Sequence, residues 1–148
     1  MMRDNGIRED GGMEYRIIEG ADRMLLPDVV RLLRTTYWAC GRAEEIIEKS
    51  MRNSACYGIC LPGSGALAGF ARVVTDCATV FYISDVVIDE AYRGMGLGTA
   101  LISYIISLPV YADLRGFLIT RDARSFYQRF GFEVVNDRIM VKPPRGDV

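Results

Sequence analysis

The sequence predicts a single α/β domain built on a mixed, mostly antiparallel sheet. Three observations lead there. Strand-like and helix-like periodicities follow one another in the order βααβββαβαβ. The three middle strands are joined by short turns and form antiparallel hairpins, whereas a helix joins the later strands, so a βαβ unit makes the sheet mixed. At 148 residues, with no internal repeat and no long linker, one domain is the default. A chain of that length buries roughly 68–70% of its unfolded surface and needs neither disulfides nor metal to fold.

Residues 1–12 are polar and read as a disordered extension. Residues 13–19 alternate as a first strand, with Tyr15 and Ile17 on one side. Leu26, Val29, Val30 and Leu33 recur at i, i+3, i+4 and i+7, which predicts a helix over about 24–36. Pro27 fits only in its first turn. Ile46, Ile47 and Met51 define a second helix over 43–51, with Asn53 as a left-handed stop. Residues 55–61 and 66–75 are strands joined by the turn Pro62-Gly63-Ser64-Gly65. Asp76-Cys77-Ala78 turns into a long strand over 79–88. A helix over 96–108 stops at Pro109, a short strand covers 115–120, and Asp122 is placed to cap a helix over 123–130 that Gly131 closes. Residues 132–141 read as a last strand and 142–148 as a flexible tail.

The chain is organised around residues 85–99, a strand, a basic glycine-rich loop and a helix start. Arg93-Gly94-Met95-Gly96-Leu97-Gly98 places three glycines and a cation in six residues, followed by Thr99. Exposed N–H groups at a helix N-terminus, with the positive end of the helix dipole behind them, make an anion site. Glycine lets that backbone touch a phosphate. A P-loop requires Gly-Lys-Ser/Thr, and no lysine stands here. A dinucleotide fingerprint requires a third glycine where Thr99 stands.

This Arg-x-x-Gly-x-Gly pattern after a hydrophobic strand resembles the acyl-CoA pyrophosphate loop of the GNAT superfamily of N-acetyltransferases. The element order over residues 13–141 is also similar to that fold, and the resemblance makes this stretch an acyl-CoA N-acyltransferase domain. It implies that the fourth and fifth strands of this order, over 79–88 and 115–120, run parallel and splay apart around the pantetheine arm. It further implies that Val86, Val87 and Ile88 pair with the pantetheine amides. Arg93, Gly94, Met95, Gly96, Leu97, Gly98 and Thr99 would hold the pyrophosphate of acetyl-CoA, the cosubstrate. A second similarity lies in Ser125-Phe126-Tyr127-Gln128-Arg129-Phe130-Gly131-Phe132, where family members carry a tyrosine near the coenzyme sulfur. Tyr127 is thus the candidate general acid for a departing thiolate of pKa about 8.5. Phe126 and Phe130, at i and i+4, read as core. Many relatives have an asparagine near the end of the 115–120 strand. None occurs in 118–123, where Thr120 or Asp122 stands instead.

Composition narrows the chemistry further. Net charge is −1 without a basic run, which argues against nucleic acid. Apolar runs break before membrane-spanning length, and the polar start is no signal peptide, so cytoplasmic residence is expected. The chain has no histidine, which removes Ser-His-Asp and Cys-His nucleophiles and the commonest metal ligand, and no metal is expected. The four cysteines form no C-x-x-C pair and read as small buried residues. The acceptor amine, of pKa about 10, must lose a proton. Candidate bases are Asp85 on the strand facing the acyl group, Asp76 before that strand, and Glu44 and Glu45 on the second helix. Tyr37, Trp38, Arg72 and Tyr82, with Phe70 and Phe81, are candidates to line the acceptor pocket, where aromatics and carboxylates together suit a cationic amine. The functional expectation is an N-acetyltransferase acting on a primary amine. The alternative is a non-catalytic acyl-CoA-binding sensor or interaction module on the same fold. Acceptor identity, acyl-chain length and oligomeric state stay open, a homodimer among the possibilities.

Overall fold

The computed structural model describes residues 8–10 and 12–145. The elements are β1 (Arg8–Asp10), β2 (Met13–Glu19), α1 (Leu26–Leu33), α2 (Glu44–Arg52), β3 (Ala55–Cys60), β4 (Leu67–Thr75), β5 (Val80–Ile88), α3 (Leu97–Ser107), β6 (Arg115–Leu118) and α4 (Arg124–Gln128). One six-stranded sheet runs in the order β1-β2-β3-β4-β5-β6. Every neighbouring pair is antiparallel except β5 and β6, which are parallel. The fold class read from the sequence holds.

Three departures have local causes. Part of the expected disordered extension is a strand. Arg8 and Glu9 pair with Tyr15 and Glu14, and the Arg8 guanidinium lies 5.1 Å from the Tyr104 ring centroid. The rest of that expectation, residues 1–7 and 11, lies outside the described residues, as do 146–148 of the tail. The expected last strand over 132–141 makes no ladder among the described residues. Asn136-Asp137 is turn chemistry in mid-run, and it splits the apolar pattern into two short pieces. Asn53 ends α2 at φ −103°, outside the left-handed region, with its Nδ2 donating to the Lys49 carbonyl.

Helices cover both faces of the sheet. On one side α1 and α2 pack Val29, Leu32, Leu33 and Ile47 against Phe70 and Val87. On the other, α3 packs Leu97, Leu101, Ile102 and Ile105 against Ile59, Val73, Phe81 and Ile83. α3 is apolar nearly all round, and Phe126, Phe130 and Phe132 also pack against the core it helps to form. Phe81 sits opposite Gly116 in the parallel pair, and a Cβ on Gly116 would lie 2.5 Å from the Phe81 ring. Glycine there is what lets β6 lie beside that ring.

A bulge in β5 divides the two cores. The ladder pairs Phe70 with Val87 but Arg72 with Ser84, so β5 carries one extra residue. Asp85 adopts φ 53°, a left-handed value at which aspartate is enriched among residues other than glycine. The extra residue reverses the alternation. Phe81 and Ile83 share the α3 side with Val86 and Ile88, while Val87 falls on the α1–α2 side. Phe70 is the largest fully buried side chain on that second side. Phe70→Ala should lower unfolding free energy by about 3–5 kcal/mol, read from urea denaturation curves at unchanged slope.

Candidate active site

β5 and β6 pair only from Val80–Arg115 to Ile83–Leu118. β6 ends there and β5 runs on to Ile88. Residues 84–88 thus have no partner strand on that side among the described residues, and the two parallel strands part. Asp89 ends β5 firmly. Its N–H donates to the Ala68 carbonyl at 2.8 Å, and its carboxylate accepts from Ala91 N–H at 3.0 Å and Arg31 Nη1 at 2.6 Å. The Ala91 N–H and the Arg31 guanidinium hold that carboxyl below the usual carboxylate range. A short 3-10 turn over Glu90–Tyr92 follows, and Arg93 Nε returns to the Ile88 carbonyl at 3.1 Å.

Gly94 and Gly96 then take φ 76° and 80°, left-handed values that disfavour any side chain. Gly96 is the N-cap of α3, and no side chain caps it. The first-turn N–H groups and the dipole of this 11-residue helix are left for an anion. Ile88, Tyr92, Arg93, Thr99, Phe126 and Arg129 line the cleft of about 250 Å³ at that loop. Two of these escaped the sequence reading. Phe126, read as core, has its ring 3.7 Å from where a Gly98 Cβ would stand. Arg129 lies 5.0 Å from the Phe126 ring centroid with Nη2 3.5 Å from Thr99 Oγ1, which brings a second cation to the loop. The signal was the i, i+3 spacing of Phe126 and Arg129 on α4.

At the bulge, Asp85 collects three donors. Arg42 Nη1 lies 2.8 Å and Arg72 Nε 2.9 Å from its Oδ2, and Trp38 Nε1 donates to Oδ1 at 3.2 Å. Its side chain is 1% exposed. Burial pushes the carboxyl up, but the hydrogen bond from Arg42 and the Arg72 charge outweigh it, and the net lies below the usual range. Arg72 is fully engaged, its other nitrogens donating to Ser54 Oγ at 3.1 Å and Ser84 Oγ at 3.2 Å. The loop between α1 and α2 is set by local bonds. The buried Thr36 hydroxyl donates to the Leu33 carbonyl and accepts the Ala39 N–H. That loop presents Tyr37 edge-on to Trp38, ring centroids 4.9 Å apart, and Arg121 just beyond β6 stacks 3.7 Å over Tyr37. Trp38 and Arg72 thus gather around Asp85, and Tyr37 stands against Trp38. Tyr82 is half-buried on β5, its phenol pushed up by burial and then by the Asp85 charge.

The other candidate bases lie elsewhere. Asp76 accepts the Thr79 hydroxyl and the N–H groups of Ala78, Thr79 and Val80, which lower its pKa. It closes the turn at the far end of β5. Glu44 is exposed, 3.9 Å from Arg34, and Glu45 is exposed. Asp122 does not cap α4, whose N-cap is Ala123 with no side-chain cap, and Thr120 Oγ1 accepts the Ala123 N–H at 3.0 Å in the turn before it. Cys40 and Cys77 are exposed, against the expectation of burial, and Cys56 is buried, its thiol pushed up to about 11 by burial. Among the described residues no group of His, Cys, Asp and Glu is placed to hold a metal, and no helix is long and apolar enough to cross a membrane.

Tyr127 is 9% exposed, with its ring against Phe126 and Phe132. Burial pushes its phenol up to about 12. No protein hydrogen bond holds the hydroxyl among the described residues. The side chain lines a second cleft, about 1030 Å³, between β6, α4 and the 132–141 segment. The loop glycines do not line that cleft, and α4 links the two through Phe126 and Tyr127.

The chain belongs to the GNAT acetyltransferase family, whose domain matches residues 52–134. A crystal structure assigned to that family from Xanthomonas campestris pv. campestris superposes with TM-score 0.82 at 26% identity, over 95% of this chain and 97% of that one. A GNAT-family acetyltransferase from Streptococcus pneumoniae TIGR4 superposes with TM-score 0.70 at 23% identity, over 88% and 98%. Over 69 residues, 45% of this chain, the sequence is 38% identical to the histone acetyltransferase TAP1 of Glycine max. Over the same length it is 36% identical to the chloroplastic GCN5-related N-acetyltransferase 2 of Arabidopsis thaliana. Those stretches are 30% and 27% of the relatives' own lengths.

The Asp85 cluster makes a stability prediction. Asp85→Asn leaves two guanidiniums without a counter-charge and should cost about 3–5 kcal/mol in chemical denaturation at pH 7. The folded-state pKa of Asp85 is lowered, so its stabilisation is complete above the unfolded value of about 3.9 and is lost as pH falls through the folded value. The gap between wild type and Asp85→Asn should therefore narrow below about pH 4. A gap that is constant down to pH 2 would count against the ion-paired carboxylate.

Proposed function

We propose that this chain is an N-acetyltransferase that moves an acetyl group from acetyl-CoA to a primary amine by direct attack. One observation carries the reading. The unpaired edge of β5 over residues 84–88 leads without a break into a left-handed glycine loop and the uncapped N-terminus of α3. A chain of amides ending in a pyrophosphate fits that strip. Val86, Val87 and Ile88 offer backbone to the amides, and the loop from Arg93 to Thr99 offers N–H groups to the phosphates, with Arg93 and Arg129 adding charge.

The chemistry assigned to the chain is economical. Backbone N–H groups at the parted strands stabilise the oxyanion as the amine nitrogen bonds to the thioester carbon. The carbon–sulfur bond breaks, and Tyr127 gives its proton to the leaving sulfur. At a pKa near 12 the phenol is protonated at neutral pH. It recovers a proton from solvent, to which the attacking ammonium loses one. Asp85, engaged by three donors, is assigned to positioning Trp38, Arg42 and Arg72, in place of the base role its sequence position suggested. Water is the proton acceptor.

Two variants test this. Gly98→Glu needs no left-handed backbone and places a carboxylate at the loop, where a Cβ meets only ordinary contacts. It should weaken acetyl-CoA binding at least tenfold by isothermal titration, with the melting temperature little changed; unchanged affinity sinks the coenzyme assignment. Tyr127→Phe removes a hydroxyl without a protein partner among the described residues, so folding and coenzyme affinity should persist. Its kcat should fall by roughly 10²–10³ with a smaller change in KM, measured as thiol release. Full kcat in the variant would make Tyr127 a packing residue.

A further inference from the structure

The charge around the bulge is unbalanced. One carboxylate, Asp85, faces two guanidiniums, Arg42 and Arg72. Arg72 directs all its nitrogens to Asp85, Ser54 and Ser84. Arg42 engages Asp85 through Nη1 alone, among the described residues, and its side chain is 24% exposed. Half of a guanidinium fork is thus presented beside the place where the strands part. Next to it stand Trp38 and Tyr37, 44% and 50% exposed, large aromatics held open by a rigid loop. Arg121 adds a second cation on the far side of Tyr37. Its contact with Asp122, at 3.7 Å with both side chains about two-thirds exposed, leaves it available.

We infer that the acceptor amine carries an anionic group, a carboxylate or a phosphate, held by Arg42 against the Trp38–Tyr37 wall. The inference rests on the acetyl-transfer reading and names the substrate class for it. A guanidinium with an unused N–H edge can pair with two oxygens of either anion. A purely cationic acceptor meets the reverse situation. Asp85 is already neutralised, Glu44 and Glu45 point into solvent on α2, and Asp76 is engaged in the turn at the other end of β5. The sequence reading of a cation-binding pocket thus gives way to an anion-binding one, because the carboxylate it relied on is occupied.

Matched amines decide the question. With acetyl-CoA, thiol release is compared for L-phenylalanine against phenethylamine and for O-phosphoethanolamine against ethanolamine. At least one anionic amine should exceed its uncharged-tail partner tenfold or more in kcat/KM, and which pair responds tells carboxylate from phosphate. Arg42→Met should raise KM for that anionic amine about tenfold or more, and by a much larger factor than for its partner. Arg42→Lys, which keeps a cation near Asp85, should recover part of the loss. Equal use of both members, preference for the amine without the anion, or an Arg42→Met loss that hits both alike would overturn the proposal. Trp38 is the chain's single tryptophan, so its fluorescence reports the site without turnover. Quenching by the anionic amine, absent for its partner and lost in Arg42→Met, supports the assignment; no quenching by either anion overturns it. Failure of the acetyl-transfer reading itself looks different, with no acetyl-CoA binding and no thiol release from any amine of either charge.

Discussion

Asp85 is held in a left-handed conformation inside a strand, with its carboxylate almost wholly removed from solvent. Neither condition is favourable alone. A left-handed residue other than glycine stores strain, and an isolated buried carboxylate would cost several kcal/mol. Arg42, Arg72 and Trp38 offset both by supplying three hydrogen bonds and two opposite charges. The cluster ties β5 to β4 through Arg72 and to the α1–α2 loop through Arg42 and Trp38. A buried ion pair of this kind adds little net stability compared with a well-packed apolar alternative. What it supplies here is position. It fixes the bulge, and the bulge decides which β5 side chains meet α3 and which meet α1 and α2.

The rest of the site follows from that bulge and from the length of β6. β5 must present apolar side chains to both faces, and the extra residue lets Val86 and Ile88 continue the face begun by Phe81 and Ile83. β6 stops at Leu118, and the chain turns through Thr120, whose hydroxyl accepts the Ala123 N–H, toward α4. On the β6 side the backbone of β5 beyond Ile83 is then left without a partner strand among the described residues, a costly state for a strand edge unless something pairs with it. Arg31 and Asp89 pin the end of this segment, so the open edge is held in place and leads into the glycine loop. An edge that is open, anchored and continuous with an uncapped helix start is suited to an extended ligand with amides and phosphates.

The two ends of the parted segment differ in what they present. At the glycine loop it is backbone, the N-terminus of α3 without a side-chain cap, with Arg93 and Arg129 around it. At the bulge it is side chains, two exposed aromatics and a guanidinium held by a buried carboxylate.

Much of the molecule was legible in the residues alone. Periodicity located both early helices, the hairpin strands, β5, α3 and α4, because each carries a local pattern of burial or a local stop such as Pro109. Gly94 and Gly96 marked the turn into α3 because glycine takes the left-handed values found there at no steric cost. The chemistry of Asp85 was not legible. Its partners stand 43, 13 and 47 residues away along the chain. Only the folded sheet brings them together, and a lone aspartate in a strand reads equally as a base or as an anchor. The same holds for Phe126 and Arg129, whose place beside the glycine loop depends on where α4 lands against α3. Sequence by itself determined most of the elements and the left-handed glycines before α3, since those rest on neighbours along the chain. Tertiary structure decided the bulge, the parting of β5 and β6 and the partners of Asp85, since those rest on contacts between segments that carry no local record of one another.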